Sequence, residues 1–217
     1  MFAGYSPETV DFLWGIRMNN NRDWFLSHKS DYVQYLYEPT KALGKELFQP
    51  FLEKTGDVLK VSRIYRDARM HHPLPYKESL WICIRKDVEW WAENPCLFFE
   101  IKPEGIGYGF FWWKPKPQAM ADLRADIAAR PREFLKLIRD TEKAVGQKIE
   151  AECYKRPKEA PDPKLQPYFG WKGQIDCTWH EDFSPEVFGE NLLPRVQERL
   201  NALIPLYEYL CRFGTGA

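Results

Sequence analysis

The sequence predicts an α+β fold in which a mainly antiparallel sheet of about four to six strands packs with N-terminal, central and C-terminal helices. Apolar residues recur at helical spacing in the first quarter of the chain, and again after residue 116. Between these regions, from residue 58 to 113, short consecutive runs are rich in β-branched and aromatic residues. Because strands follow one another instead of alternating with helices, the pattern favours an antiparallel sheet over a doubly wound parallel one.

The first quarter carries the signals of helices. Ser6-Pro7-Glu8 offers a capping hydroxyl, a proline at the first helical position and an early acid. A second helix is predicted after the turn-like run NNN at residues 19–21, and Pro39 is expected to break or kink it. The apolar positions of this helix, and of the helical pattern that continues to Gly56, are Trp24, Phe25, His28, Tyr32, Leu36, Leu43, Leu47, Phe48 and Phe51.

Four runs in the middle of the chain are typical of strands: VLKVSRIY, SLWICIRK, LFFEIK and IGYGFFWWK. The turn-forming tripeptide Pro103-Glu104-Gly105 separates the last two, which are therefore predicted to form a hairpin. Gly107 and Gly109 leave bare backbone on one face of the final strand. Either a neighbouring segment or a ligand approaches closely there, and we expect a packing neighbour.

The last hundred residues return to helical patterns. Two helices are predicted, the first lined by Met120, Leu123 and Ile127 and the second opened by Pro131. Segment 154–172 is basic and rich in proline, which predicts an ordered loop. A short strand over residues 175–179 precedes a C-terminal helix whose apolar residues are Leu193, Val196, Leu200 and Leu203.

Composition sets limits on domain number and partners. A chain of 217 residues fits one large domain, so we predict a single domain over residues 1–217. The hydrophobic content is 44%, the charged content is 29% and the formal net charge is zero, as in an ordinary globular protein. Non-specific nucleic-acid binding requires many phosphate contacts, and a neutral chain argues against it.

Nothing in the sequence indicates a membrane or secreted protein. No apolar run approaches the length that crosses a bilayer, and MFAGYSPETV lacks the pattern of a signal peptide. An odd number of scattered cysteines is typical of reduced thiols, so we expect a cytoplasmic location. The five cysteines are Cys83, Cys96, Cys153, Cys177 and Cys211.

The stretch RIYRDARMHHPLPYK, residues 63–77, concentrates positive charge in this neutral chain. Arginine has a rigid fork of donors that suits phosphate and carboxylate, and Lys77 adds a point charge. We therefore predict a site for a small anion, with Arg66, Arg69 and Lys77 as ligands and Asp67 orienting an arginine or acting as a base. The competing interpretation is an internal network of salt bridges, which we favour for Arg63.

Motifs of known enzymes and cofactors do not occur. The glycine run at residues 105–109 lies in a predicted strand, so it is not a nucleotide-binding fingerprint, and we predict no cofactor. His71-His72 and His180-Glu181-Asp182 lack the spacing of metal ligands, so we predict no metal. The sequence leaves open whether the anion site is catalytic.

An aromatic content of 16% supports an alternative function. In each of the doublets Trp90-Trp91 and Trp112-Trp113, neighbouring rings on a strand face opposite sides. Either both faces of the sheet are covered there, or one ring of each pair is exposed. In the second case the protein could be an interaction module that binds a protein partner, with the arginines serving structure. Near the first helices, Asn20 and Arg22 are open between a capping and an anion-binding role, whereas Trp24 and Phe25 are interpreted as core residues.

Several stretches together resemble the family known as domain of unknown function 2461. These are NNNRDWF, RIYRDARM with PYK, LFFEIKPEG with the following glycine-aromatic strand, MADLRADI, ECYKRPK, the Trp171-Lys172 pair and PLYEYL. They follow one another over almost the whole chain, which implies one domain. The family has no established activity, so the resemblance implies no reaction.

The resemblance also indicates which residues to consider at the site. Arg66, Asp67, Arg69, Tyr76 and Lys77 match the family's arginine-rich motif, whereas HHPL at residues 71–74 is shorter than its usual charged run. No charged group is therefore carried over to those four positions. The later matching segments add secondary candidates for ligand binding: Arg124, Lys155, Arg156 and Lys172.

Overall fold

A computed structural model describes residues 1–55, 57–67, 69 and 73–215. The backbone divides into two compact units. Unit 1 comprises residues 1–84, 98–108 and 179–197, and unit 2 comprises residues 85–97, 109–178 and 198–217. That the whole chain is a single domain stays a prediction.

Unit 1 begins with helices. They are α1 (Pro7–Met18), α2 (Arg22–Ser27), α3 (Lys29–Asp31), a π-helix (Tyr32–Tyr37) and α4 (Glu38–Thr55). The predicted start of α1 is confirmed, since Ser6 precedes Pro7 and its backbone N–H donates to Thr9 Oγ1 at 3.2 Å. The second predicted helix is divided, because α2 ends at Ser27 and the helix type changes from α to π at Tyr32 and back to α at Glu38. The i→i+5 pattern of the π-helix ends just before Pro39, whose nitrogen has no hydrogen to donate.

The strands form one six-stranded antiparallel sheet, which confirms the predicted α+β class. Their order across the sheet is β1-β2-β3-β4-β6-β5. Their bounds are β1 (Val58–Val61), β2 (Leu80–Arg85), β3 (Cys96–Lys102), β4 (Gly105–Trp112), β5 (Glu150–Cys153) and β6 (Trp171–Asp182). The predicted Pro103-Glu104-Gly105 turn joins β3 to its sheet neighbour β4. Strand β5 was not predicted, and β6 is longer than the predicted strand over residues 175–179.

Gly107 and Gly109 of β4 allow a close approach by the neighbouring strand β6. A Cβ atom on Gly109 would lie 2.2 Å from the carbonyl oxygen of Cys177, and one on Gly107 would lie 3.1 Å from His180 Nδ1. Gly109 also has a φ of +148°, which side chains rarely adopt. The bare backbone therefore accommodates a packing neighbour, as expected.

Unit 2 contains most of the later helices. They are α5 (Pro117–Ala129), α6 (Pro131–Val145), α7 (Gln166–Phe169) and two short 3₁₀ helices, Trp91–Glu93 and Pro163–Leu165. The C-terminal helix α8 (Leu192–Cys211) begins in unit 1 and ends in unit 2. Pro131 opens α6 as predicted, and Gly146 ends it in a left-handed conformation with φ +74°. In α8 the predicted apolar residues Val196, Leu200 and Leu203 are buried, whereas Leu193 is only half-buried and its neighbour Leu192 is buried in its place.

Each tryptophan doublet has one exposed ring. Trp112 is fully buried and its indole N–H donates to the carbonyl of Glu93 at 2.7 Å, whereas Trp113 is 48% exposed. Trp90 is 62% exposed, while Trp91 is half-buried with the Arg85 guanidinium 5.3 Å from its ring centroid. Among the described residues, no helix has the length and apolar content needed to cross a membrane.

We expect Gly109→Ala to destabilise the protein more than Gly146→Ala. Both glycines have positive φ, but no atom lies within 4 Å of a Cβ built on Gly146, whereas a Cβ on Gly109 would overlap a carbonyl oxygen. The left-handed conformation alone costs about 1 kcal/mol for alanine. Overlap with fixed backbone adds roughly 1–3 kcal/mol at Gly109. Urea denaturation of both variants measures the difference in unfolding free energy, and equal losses would contradict this account.

Candidate functional site

Unit 1 contains a charged cleft with a volume of about 590 Å³. Four basic and three acidic side chains line it, together with one tyrosine and one serine. The lining residues are Arg17, Tyr65, Arg66, Asp67, Lys77, Glu78, Ser79, Glu100 and Lys102. The structure thus brings together three of the predicted site residues, Arg66, Asp67 and Lys77.

An isolated antiparallel bridge holds the two parts of the arginine-rich motif side by side. Tyr65 pairs with Tyr76, and the flanking hydrogen bonds run from Arg66 N to Pro75 O at 2.9 Å and from Lys77 N to Ile64 O at 2.7 Å. Side chains alternate between the two faces of paired extended segments. Arg66 and Lys77 each come directly after one of the paired tyrosines, so these two basic side chains share one face of the bridge. Both of these basic side chains reach the cleft.

The side chain of Asn20 fixes the position of this bridge. Its amide Nδ2 donates to the carbonyl of Tyr76 at 2.9 Å, and its Oδ1 accepts from the N–H of Tyr76 at 3.0 Å. The ring of Tyr76 is buried and stacks on Phe25, with 4.3 Å between ring centroids. Burial raises the pKa of Tyr76. Tyr76 therefore packs in the interior and does not line the cleft.

A shared carboxylate joins two of the cleft's arginines. Glu78 Oε2 accepts from Arg17 Nε at 2.7 Å, and its Oε1 lies 3.3 Å from Arg66 Nη2. Arg17 also pairs with Glu104, and the hydrogen bond that Arg17 donates to this carboxylate is the main cause that raises the pKa of Arg17. All three side chains of the Arg17–Glu78–Arg66 group are partly buried. On the wall of an open cleft, Arg66 thus has a carboxylate partner of the kind that the salt-bridge interpretation expects, and it shares this partner with Arg17, which was not predicted.

The two lysines of the cleft differ from the arginines in lacking such partners. Neither Lys77 nor Lys102 forms an ion pair with a carboxylate in the part of the chain that the structure describes. Lys77 is half-buried, with its Nζ 5.6 Å from the centroid of the Trp81 ring. Burial lowers the pKa of Lys77, the positive charge of Arg66 lowers it further, and Glu100 acts in the opposite direction. Glu100 itself accepts a hydrogen bond from Ser79 Oγ at 2.7 Å.

Arg69 lies outside the cleft lining. Its guanidinium forms a two-pronged pair with Asp67, at 3.0 Å from Nε to Oδ1 and 2.7 Å from Nη2 to Oδ2. The side chain is 87% exposed, and its hydrogen bonds with Asp67 raise its pKa. The arginine that pairs with Asp67 is therefore Arg69, and not one of the arginines that line the cleft. Arg63 is also exposed.

The secondary candidates belong to unit 2, and none of them lines the cleft. Arg124 Nη1 donates to the carbonyl of Trp171 at 2.9 Å, so it serves the packing of α5 on β6. Lys172 pairs with Glu152 at 2.6 Å, and the hydrogen bond to that carboxylate raises the pKa of Lys172. Lys155 and Arg156 are exposed.

Sequence reasoning missed Arg17, Glu78, Ser79, Glu100 and Lys102. A signal for two of these was present in β3, where residues 97, 99 and 101 are buried and residues 98, 100 and 102 are less so. The period of two places Glu100 and Lys102 on the outward face of the strand. Asn20 was left open between capping and anion binding, and the structure shows a third role, the pairing with the backbone of Tyr76. The residue that caps α2 is Asn21, and Phe25 is buried as predicted.

The described residues contain no cluster of three or more His, Cys, Asp or Glu side chains arranged to hold a metal ion. His71 and His72 lie outside the described residues. In the other histidine segment, Glu181 accepts from the hydroxyl of Tyr108 and pairs with Arg195. Glu181 therefore belongs to a network of structural contacts within unit 1.

Comparison with known proteins extends the resemblance found in the motifs. A comparison with curated proteins finds no match. The sequence profile of a family described as conserved hypothetical protein (DUF2461) matches residues 8–209 of the 217-residue chain. The match covers both the bridge of the arginine-rich motif and β3, which carry most of the cleft lining. The chain belongs to the DUF2461 family of conserved hypothetical proteins.

Proposed function

We propose that the cleft of unit 1 binds a small ligand that carries a phosphate or carboxylate group. The observation that carries this proposal is Lys77, a half-buried ammonium that faces an open cleft beside Arg66 without a carboxylate partner among the described residues. Burying a charge is costly unless an opposite charge compensates for it. An anion bound between Lys77 and Lys102 would supply that compensation.

The arginines would contribute directional hydrogen bonds. A guanidinium has five N–H donors, and the contact of Arg66 with Glu78 occupies one of its terminal nitrogens. Glu78 would hold Arg66 and Arg17 in place so that their remaining donors point at the ligand. Arginine's planar fork binds phosphate or carboxylate oxygens in pairs, which suits this arrangement.

The acids of the cleft limit the ligand to a small anion. Asp67, Glu78 and Glu100 line the same space as the four cations, so the excess positive charge is small. A long polyanion such as a nucleic acid gains affinity from many phosphate contacts, which this cleft does not offer. A metabolite with one or two anionic groups matches this small excess of positive charge better than a polyanion does.

The alternative of a protein-interaction module has weaker support. Trp90 and Trp113 in unit 2 are exposed, but Lys114 Nζ lies 4.7 Å from the ring centroid of Trp113. Single exposed rings are ordinary on protein surfaces, whereas interfaces usually present broad apolar patches. We therefore favour the cleft as the functional site.

We expect a matching anion to raise the melting temperature of the protein. At about a hundred times its dissociation constant, a ligand adds roughly 2.7 kcal/mol, which corresponds to a rise of about 5–10 °C in a protein of this size. A panel of sugar phosphates, nucleotides and carboxylates identifies the class by differential scanning fluorimetry. Lys77→Met and Lys102→Met should each weaken the shift because each removes a cation from the cleft.

Lys172→Met is the matched control, since it removes a lysine that is already paired with Glu152 and does not line the cleft. It should leave the ligand-induced shift unchanged. The proposal fails if no anion class raises the melting temperature, or if Lys172→Met reduces the shift as much as Lys77→Met does.

We also expect anion binding to take up a proton at alkaline pH. In the free protein the pKa of Lys77 lies below its usual value of 10.5, and a bound anion would raise it. At a pH between these two pKa values, the amine of Lys77 is partly neutral in the free protein and charged in the complex with the anion. Affinity is therefore constant at low pH and falls as the pH rises through the lowered pKa of Lys77.

Isothermal titration calorimetry at one alkaline pH, in two buffers of different ionisation enthalpy, measures the number of protons taken up. Lys77→Arg retains the charge over this pH range, so it should bind without the uptake. Uptake that persists in Lys77→Arg would show that another group titrates.

A further inference from the structure

We propose that the amine of Lys77 is a nucleophile that condenses with the carbonyl carbon of an anionic oxo acid to form an imine. This inference rests on the proposed function and names its substrate class. The carboxylate of the oxo acid would bind to Arg66 and Lys102, and its carbonyl group would lie against Lys77.

The position of Lys77 meets the requirements of an amine nucleophile. Only the neutral amine attacks a carbonyl, so the surroundings must disfavour the ammonium form. Burial and a neighbouring cation are the two ways in which proteins achieve this, and Lys77 has both, with the cation supplied by Arg66. The bridge between Tyr65 and Tyr76 holds these two basic residues on one face, so their proximity is built into the backbone.

The contacts of Lys77 also leave its amine available. Its nitrogen lies over the Trp81 ring, and no carboxylate pairs with it among the described residues. Lys172 shows the opposite arrangement, because its ion pair with Glu152 stabilises the ammonium form and raises its pKa. The two lysines form an internal comparison within one chain.

Glu100 is placed to move the protons of the reaction. It lines the cleft, its charge acts on Lys77, and Ser79 holds one of its oxygens at 2.7 Å. Glu100 would accept a proton from the Lys77 ammonium, after which the nitrogen lone pair adds to the carbonyl carbon. The carbonyl oxygen takes up that proton to become a hydroxyl group. Loss of this hydroxyl as water, with a second proton from the nitrogen, forms the C=N bond. Amine and carbonyl become imine and water, and nothing is oxidised or reduced.

Reductive trapping tests the inference directly. The full-length protein is incubated with pyruvate or with 2-oxoglutarate, and sodium borohydride then reduces any imine to a stable secondary amine. We expect the mass of the protein to increase by that of the acid minus one oxygen atom. Peptide mapping should place the added group on Lys77, and labelling should reach its plateau at a lower pH for Lys77 than for Lys172.

Three variants make the result specific. Lys77→Arg keeps the positive charge but should abolish the adduct. Lys102→Met should require more oxo acid for the same labelling, because it removes a binding charge and not the nucleophile. Lys172→Arg should label like the wild type. Adducts spread evenly over Lys77 and Lys172 would overturn the inference, since they would reflect ordinary surface amines.

A second class of ligands, the hydroxy acids, distinguishes failure of this inference from failure of the proposed function. Lactate and 2-hydroxyglutarate carry the same anionic groups as the two oxo acids but cannot form an imine. If the hydroxy acids raise the melting temperature through Lys77 and the oxo acids leave no trapped adduct, the nucleophile is disproved and the anion site stands. If neither the oxo acids nor the hydroxy acids bind, this substrate class is wrong; if the wider anion panel also gives no shift, the site itself is wrong.

Discussion

The cleft depends on the carboxylate of Glu78, which lies between two guanidinium groups. One of its oxygens binds Arg17 at the end of α1, and the other binds Arg66 beside the Tyr65–Tyr76 bridge. Without this carboxylate, the two like charges would repel each other across the wall of the cleft. Because these three groups are only partly exposed, their attraction is screened less than that of a surface pair. Glu78 also adjoins Lys77 in the chain, so the same interaction sets the position of the lysine.

A second constraint connects two motifs that are distant in sequence. The side chain of Asn20 pairs with both backbone groups of Tyr76, across a separation of 56 residues. An amide is suited to this role because it carries a donor and an acceptor side by side. The asparagine run and the PYK motif thus both contribute to the Tyr65–Tyr76 bridge. Tyr76 packs inward on Phe25, and the next residue, Lys77, lines the cleft.

The fold class could be predicted because the hydrophobic period changes from helical to alternating near residue 58. Strand β5 escaped prediction since its sequence, EAEC, is mostly exposed and has no apolar pattern. The break after α2 was missed because Trp24, Phe25, His28 and Tyr32 recur at helical spacing across it. Tertiary packing decided the local conformation there.

At the site, charge density alone pointed to Arg66, Asp67 and Lys77, and alternation along β3 could have added Glu100 and Lys102. Sequence could not separate Arg66 from Arg69. The difference between them lies in their partners, since one shares Glu78 on the cleft wall and the other folds back onto Asp67. Likewise Arg124 and Lys172 match family segments, yet their partners are a backbone carbonyl and Glu152. The partner of each basic side chain is therefore determined by the folded structure and cannot be read from the local sequence.

The order of the strands has a consequence for how the chain folds. Strands β1 to β4 are neighbours in the order in which they are synthesised, whereas β4 must pair with β6 across residues 113–170. Closing a longer loop costs more chain entropy before any contact compensates for it, and non-local pairing slows folding. We therefore expect the β1–β4 meander to form first and the β4–β6 pairing to be the slow step. Pulsed hydrogen exchange during refolding would show this as late protection of the β6 amides, and simultaneous protection of all strands would refute it.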